Sequence, residues 1–344
     1  MTQQNQMIKT NETVQTRETN KTRETNQTRE TLQTPHANEN TARESERGAV
    51  NKLGIFMNFW ENDWNADYYK YIKKAAHLGF DVLEFQAQPL LNIPDDELLN
   101  IKSAALDAGI ELTYSLGLDK RYDISSPDKY VREAGIAYLT DIIRKVAVQN
   151  GKIISGVSYA GWGVPEGRVD KKERTAHSIE SMKKVAAVAE NYGIQYAVEA
   201  VNRFEGVVLN TAAEALEYVK AVDMPNVGIL LDTYHMNIEE PSIRNAILTA
   251  GDSLIGFHVG ENNRSVPGRG HLDWREIFGA LRDVNYRGRI VAEPFVKTGG
   301  AVGRDIYVWR DLVEGGEDAL DKEAAFMLDF ERKMLADACD GGAK

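Results

Sequence analysis

Eight short apolar runs alternate with helix-like segments from Leu53 onward, and this alternation is the feature that most restricts the fold. The predicted strands cover residues 53–58, 81–86, 110–115, 153–158, 194–199, 227–232, 254–258 and 289–293. The predicted helices cover residues 65–79, 95–108, 128–149, 170–192, 212–222, 239–250, 273–284 and 318–337. Because strands joined by crossover helices pair in parallel with right-handed connections, eight such units predict a (β/α)8 TIM barrel.

Residues 1–50 have a different composition from the rest of the chain. The hexamer Thr-Arg-Glu-Thr-Asn-Lys begins at Thr16 and recurs, with small changes, at Thr22 and Thr28. The segment contains almost no apolar residues, so burial cannot offset the entropy that ordering would cost. We therefore expect a disordered, repetitive polar tail over residues 1–50 and a barrel catalytic domain over residues 51–344.

Charge and cysteine content restrict the partners and the compartment. The formal net charge is −11, which argues against a nucleic acid or an anionic membrane as the main partner. The single cysteine, Cys339, excludes an intrachain disulfide framework and a cysteine-based metal site. The chain opens with no signal-peptide pattern and contains no apolar run of membrane-spanning length. These features predict a cytoplasmic protein.

Strands five to eight of the predicted barrel each end in an acidic or imidazole side chain. In order, these residues are Glu199, Asp232, His258 and Glu293. The C-terminal ends of barrel strands meet at one mouth, so the four side chains should converge. Three carboxylates disfavour one another's ionised forms unless a positive charge lies between them. A divalent metal is the simplest such charge; the alternative is four unrelated polar residues at strand ends.

Two Glu, one Asp and one His form an oxygen-rich ligand set. Structural zinc prefers thiolate and imidazole, so this set favours Mn²⁺, Mg²⁺ or Co²⁺. Such an ion could bind two adjacent oxygens of a sugar or hydroxy-ketone and acidify the neighbouring C–H. Two carboxylates on opposite sides of that carbon could then remove one proton and return another, through an enediolate that the metal stabilises.

Several linked motifs surround these four residues. They are Glu199-Ala-Val-Asn-Arg-Phe-Glu205, Leu231-Asp232-Thr-Tyr-His235, Phe257-His258-Val-Gly-Glu-Asn-Asn-Arg264, Val266-Pro-Gly-Arg-Gly270, Glu293-Pro-Phe-Val-Lys-Thr-Gly-Gly300 and Val308-Trp-Arg-Asp311. Together they resemble the signatures of the ketose 3-epimerases, the family of the D-tagatose and D-allulose (D-psicose) 3-epimerases. The resemblance extends from Leu53 to the C-terminal helix and omits the repetitive tail.

The resemblance implies reversible inversion at C3 of a free ketohexose, such as D-fructose to D-allulose or D-tagatose to D-sorbose. It also implies one Mn²⁺ or Co²⁺ per subunit and a homodimer or homotetramer. By the same resemblance Glu199, Asp232, His258 and Glu293 are the metal ligands, and Glu199 with Glu293 forms the acid-base pair. The implied substrate-binding residues are Glu205, His235 and Arg264 around C1 to C3, with Trp162 and Phe56 lining the pocket. Phe56 and Ser115-Leu-Gly117 differ from some relatives, which affects sugar preference and not reaction type.

Other functions fit parts of the same pattern. An aldose-ketose or hydroxypyruvate-type isomerase, or a sugar or inosose dehydratase, would keep the barrel and the metal; hydrogen exchange at C3 without carbonyl migration or water loss separates these reactions. A metal-dependent phosphodiesterase or nuclease would need several metals, more histidines and a basic groove. A non-enzymatic sugar-binding or scaffold protein would have no use for two carboxylates on one metal.

Each predicted substrate residue also has a structural interpretation. Glu205 could simply pair with Arg203, and His235 could be a buried structural histidine. Arg264 could be a solvated loop residue or could organise Glu261. Trp162 and Phe56 could be core packing at the mouth of the barrel.

Overall fold

The computed structural model describes residues 51–340. Within them, eight parallel strands close into a barrel in sequence order. The strands are β1 (Leu53–Phe56), β2 (Val82–Gln86), β3 (Glu111–Gly117), β4 (Ile153–Val157), β5 (Gln195–Ala200), β6 (Val227–Asp232), β7 (Leu254–Val259) and β8 (Ile290–Ala292). The predicted TIM barrel is confirmed, whereas the tail predicted over residues 1–50 lies outside the described residues.

Between residues 51 and 340, ten helices accompany these strands. They are α1 (Tyr68–Leu78), α2 (Asp95–Asp107), α3 (Lys129–Val148), α4 (Lys171–Asn191), α5 (Ala212–Val222), α6 (Thr233–Glu239), α7 (Ile243–Ala250), α8 (Trp274–Asp283), α9 (Gly300–Asp305) and α10 (Glu317–Asp340). Short 3₁₀ turns cover Met57–Phe59, Gln88–Asn92, Lys120–Tyr122 and Gly251–Ser253. None of the helices within the described range is long and apolar enough to cross a membrane.

Of residues 239–250, which were predicted as one helix, Glu239 ends α6, residues 240–242 are not helical and residues 243–250 form α7. Pro241 lies between the two helices. A proline has no backbone N–H and disfavours helical conformation in the residue before it, so the first helix ends there. Ser242 then starts α7, because its side chain accepts a hydrogen bond from the Asn245 backbone N–H.

Burial explains why the strands and helices pack as they do. All residues of β4 and β6 are buried, as expected for strands covered on both faces. Helix α8 buries Trp274, Ile277 and Leu281, which lie on one face at helical spacing. Because all strands are parallel, their C-terminal ends lie at one mouth of the barrel, where Asp232 pairs in register with His258.

Candidate active site and metal centre

Four side chains meet at the C-terminal mouth of the barrel. Ligand atoms of Glu199, Asp232, His258 and Glu293 all lie within 4.8 Å of one another, and all four residues are buried. They come from the ends of β5, β6 and β7 and from the residue after β8. The structure thus brings together the four residues predicted from the strand ends.

Two ligand atoms of this cluster are free to bind a metal ion. Glu199 Oε1 and His258 Nδ1 are buried and form no hydrogen bond with any residue in the described part of the chain. Asp232 Oδ1 accepts the Tyr234 backbone N–H at 2.7 Å and so caps α6, while Oδ2 accepts from Arg264 Nη1 at 3.1 Å. Buried polar atoms normally have partners, so these free atoms fit a cation. Three carboxylates and one imidazole suit a hard divalent ion.

Electrostatics within the cluster supports the same conclusion. Burial, followed by the charge of Glu293, raises the pKa of Glu199 well above its usual value. Burial acts to lower the pKa of His258, but the carboxylates of Glu84 and Glu293 outweigh burial and raise that pKa well above the usual range. Burial and crowded negative charge therefore favour bound protons at this site, and the four residues would release such protons on holding a divalent ion.

Glu84 is a site residue that the sequence analysis missed. It lies within β2, is buried, and its Oε1 is 3.0 Å from His258 Nε2. Its other oxygen accepts hydrogen bonds from Thr113 Oγ1 at 2.9 Å and Ser155 Oγ at 3.3 Å. The contact orients the imidazole with Nδ1 toward the cluster, an arrangement common for metal-binding histidines. The sequence feature that could have identified Glu84 is a carboxylate inside the apolar run Val82-Leu-Glu-Phe.

Arg264 contacts the carboxylates directly. Its Nη1 lies 3.1 Å from Asp232 Oδ2 and 3.0 Å from Glu293 Oε2. The guanidinium also lies 4.2 Å from the centre of the Tyr234 ring, and the residue is only 8% exposed. Arg264 is therefore a buried cation of the site and not a solvated loop residue. Its predicted contact with substrate remains a prediction.

His235 is held by Asn202, a second residue that the sequence analysis did not select. The Asn202 backbone N–H and side-chain amide lie 3.2 and 2.8 Å from His235 Nδ1. The amide orientation is fixed, because its Nδ2 also donates to Glu205 Oε1 at 3.0 Å and its Oδ1 accepts the Phe204 N–H at 2.9 Å. His235 Nδ1 is therefore a hydrogen-bond acceptor.

This arrangement determines the protonation of the His235 ring. Burial lowers the pKa of His235 to about 4, so the ring is neutral at pH 7 and carries one N–H. Since Nδ1 accepts, the hydrogen is on Nε2, which lies 3.5 Å from Glu199 Oε1. Arg264 Nη2 lies 3.2 Å from the same Nε2. In this tautomer both nitrogens carry hydrogen, so the contact is not a hydrogen bond. His235 therefore presents a donor to the cavity.

Comparison with known proteins identifies the family. The model of the xylose isomerase-like TIM barrel family matches residues 72–329. D-psicose 3-epimerases of Ruminiclostridium cellulolyticum and Agrobacterium fabrum are each 45% identical to the chain over 286 residues, covering 83% of the chain and 98% or 99% of those proteins. The chain belongs to the ketose 3-epimerases. A crystal structure of D-psicose 3-epimerase in the presence of D-fructose matches this epimerase with a TM-score of 0.81 and 44% identity, covering 83% of the chain and 99% of that structure.

The epimerase has a cavity of about 560 Å³ above the cluster. Its walls include Glu199, Glu205, His235, Arg264 and Glu293. A cavity of this size suits a small molecule, since ligand pockets span roughly 300–1,000 Å³. Of the predicted substrate residues, Glu205, His235, Arg264 and Trp162 thus share one cavity.

Glu205 does not pair with Arg203, which instead bonds Glu239 at 2.9 Å. Burial acts to raise the pKa of Glu205, but the neighbouring His235 and Arg264, followed by hydrogen bonds from Asn202 and Trp162, hold that pKa below the usual value. Glu205 is therefore an ionised acceptor at the cavity wall.

Aromatic residues form another wall of the cavity. Trp162 lines it, and Trp162 Nε1 lies 3.4 Å from Glu205 Oε2. Trp64, which the sequence analysis missed, also lines the cavity and packs edge-on against Trp162 at 6.2 Å between ring centres. Phe56 is fully buried and packs edge-on against Phe295, which lines the cavity. Phe56 thus supports the wall from behind, and its predicted substrate contact remains a prediction.

Proposed function

We propose that this epimerase catalyses metal-dependent C3 epimerisation of free ketohexoses, interconverting D-fructose with D-allulose and D-tagatose with D-sorbose. The observation that carries the proposal is the pair Glu199 and Glu293, which face one buried centre from different strands, with ligand atoms within 4.8 Å. The names of the relatives, D-psicose 3-epimerases, support the same substrate class.

Glu199, Asp232, His258 and Glu293 would hold one divalent ion. We infer Mn²⁺ first, with Co²⁺ or Mg²⁺ as alternatives, because the donor set is mainly carboxylate oxygen. When bound, the ion supplies Lewis-acid polarisation of the ketose carbonyl and so acidifies the C3–H bond.

The two glutamates then perform the proton transfers. One carboxylate takes the C3 proton, and the C–H bonding electrons pass into an enediolate across C2 and C3. The other residue, as a carboxylic acid, delivers a proton to the opposite face of C3, and the carbonyl at C2 re-forms. Inversion requires acid-base groups on both faces of the carbon, which is why two glutamates are needed.

Neighbouring residues bind and orient the substrate. His235 donates from Nε2 to a substrate oxygen, and ionised Glu205 accepts from a substrate hydroxyl. Arg264 balances the negative charge that develops as the proton leaves C3. Trp162 and Trp64 cover apolar faces of the sugar and exclude water from the reacting carbon.

The test is turnover of D-fructose to D-allulose by enzyme treated with EDTA and then resupplied with Mn²⁺. We expect loss of activity with EDTA and recovery with Mn²⁺. Glu293→Gln and Glu199→Gln should each lower kcat by about 10³-fold, whereas Glu180→Gln, a matched change on an exposed face of α4, should not. Full activity in the metal-free enzyme, or an aldose as product, would overturn the proposal.

We also infer that the epimerase works in the cytoplasm as a homodimer or homotetramer. Tyr307 and Trp309, after α9, contact each other and are 69% and 71% exposed. Exposed aromatic pairs are typical of surfaces that associate. Light scattering of the purified protein would test the assembly, and a monomer at micromolar concentration would contradict it.

A further inference from the structure

The cavity has a second polar wall that the proposed mechanism does not use. It is formed by Gln86, at the end of β2, and by Gln88, in the turn that follows. Because the strands follow one another in sequence order around the barrel, β2 lies opposite β6, which carries Asp232. Residues two apart on a strand face the same side, so Gln86 follows Glu84 on the inward face, one layer nearer the mouth.

Both glutamines have a buried carbonyl oxygen without a partner. Gln86 Oε1 and Gln88 Oε1 accept no hydrogen bond from any residue between 51 and 340. Gln88 Nε2 donates to the Gly117 carbonyl at 2.8 Å, which fixes the amide and leaves Oε1 as a free acceptor. Gln86 is only 8% exposed. Buried acceptors are normally satisfied, so two unsatisfied ones lining a ligand cavity mark positions where ligand hydroxyls donate.

The cations nearest this part of the cavity already have partners. Arg121 forms a two-point ion pair with Asp119, at 2.9 and 3.0 Å. Lys120 Nζ donates to the Val164 carbonyl at 3.2 Å. The two glutamines therefore offer neutral acceptors on this wall, and each Lys or Arg among the described residues that line the cavity has at least one partner. Carbonyl oxygens attract hydroxyl donors and repel the oxygens of a phosphate group, which only accept.

We propose that Gln86 and Gln88 bind the hydroxyl groups at the end of the ketose farthest from the reacting carbon. The inference rests on the proposed function, which places C2 and C3 of the sugar at the four candidate metal ligands. The remaining carbons of the sugar then extend toward the opposite wall of the cavity. The two acceptors favour long ketoses with free terminal hydroxyl groups as substrates. Shorter ketoses lack these hydroxyl groups, and ketose 6-phosphates carry a phosphate in place of one of them.

The experiment compares two substrates in variants of the holoenzyme. Gln86→Met and Gln88→Met keep side-chain length and remove the acceptor; Gln195→Met, the same change at an exposed position at the start of β5, is the control. D-Allulose is the long substrate. Erythrulose, which lacks C5 and C6, is the short one, and its reaction is followed by hydrogen exchange at C3.

We expect each cavity variant to lower kcat/KM for D-allulose about tenfold, in line with loss of one buried hydrogen bond. The kcat/KM for erythrulose and the affinity for Mn²⁺ should stay unchanged, as should all values for Gln195→Met. An equal loss on both substrates would overturn the inference, and so would turnover of D-fructose 6-phosphate as efficient as that of D-fructose. Wild-type enzyme inactive on every ketose would instead overturn the proposed function itself.

Discussion

Glu84 Oε1 lies 3.0 Å from His258 Nε2, so a carboxylate on β2 holds the histidine of β7 from across the barrel interior. The other oxygen of Glu84 is fixed by Thr113 and Ser155. In this orientation of the ring, His258 Nδ1 lies 3.7 Å from Glu293 Oε1. Metal binding should depend on this contact, because a wrongly rotated imidazole places an N–H where a lone pair is needed.

Replacing Glu84 tests that dependence. We expect Glu84→Ala to weaken Mn²⁺ binding by about 10- to 100-fold, measured by calorimetric titration. Thr113→Val removes only one hydrogen bond to Glu84 and should have a smaller effect. Wild-type Mn²⁺ affinity in a folded Glu84→Ala protein would contradict the role assigned to Glu84.

Asn202 should control the tautomer of His235. In Asn202→Asp a carboxylate faces Nδ1 and attracts a proton there, which turns Nε2 into an acceptor. We expect kcat/KM for D-fructose to fall at least about tenfold. Asn191→Asp, the same change on the exposed end of α4, serves as the control and should behave as wild type. Unchanged kinetics in Asn202→Asp would show that the tautomer has no part in catalysis.

Glu331 should make stability depend on pH. This residue of α10 is fully buried, and neither carboxylate oxygen has a hydrogen-bond partner in the described chain. Burial raises its pKa well above the usual value, although Arg332 acts in the opposite sense. The folded state therefore keeps its proton where the unfolded chain, with a pKa of about 4.3, has lost it. The free energy of unfolding falls as pH rises through that window.

Glu331→Gln removes this loss of stability. Relative to wild type, we expect the variant to gain stability from pH 5 to pH 8, by up to about 1.4 kcal/mol per pH unit within the window. Urea unfolding at both pH values would measure the gain. Asp329→Asn, where the side chain is 81% exposed, should show little change. A gain equal at both pH values would mean that ionisation of Glu331 is not the cause.

Deleting residues 1–48 should leave kcat and KM unchanged. All the residues placed at the site lie between Phe56 and Phe295, within the domain predicted over residues 51–344. Steady-state kinetics of the shortened and full-length proteins would test this domain boundary. A large loss of activity in a folded, shortened protein would show that the segment belongs to the working enzyme.

The barrel and the cluster of four candidate metal ligands could be predicted from the sequence because both follow from local patterns. Short apolar runs alternate with helical periodicity, and parallel strands place their last residues at one mouth. On this basis the sequence predicts that Asp232 and His258, at the ends of adjacent strands, lie close together. The break between α6 and α7 was missed because the apolar pattern continues past Pro241, although that residue was itself a stop signal.

The supporting residues could not be predicted in this way. Glu84 acts through a contact between β2 and β7, which are far apart in sequence and not neighbours in the barrel. The role of Asn202 depends on two distances to a single ring nitrogen. Phe56 was assigned to the pocket by resemblance; it packs against Phe295, which lines the cavity, and its substrate contact stays a prediction. Such relationships arise from packing across the barrel, which local periodicity does not encode.

The most direct test of the central claim is incubation with D-fructose in D₂O, with Mn²⁺ and with EDTA. The proposed mechanism predicts D-allulose that carries deuterium at C3, formed with Mn²⁺ and absent with EDTA, because the returned proton comes from a carboxyl group that exchanges with solvent. D-Allulose without deuterium at C3, or no exchange into any ketohexose despite bound metal, would contradict proton transfer by Glu199 and Glu293.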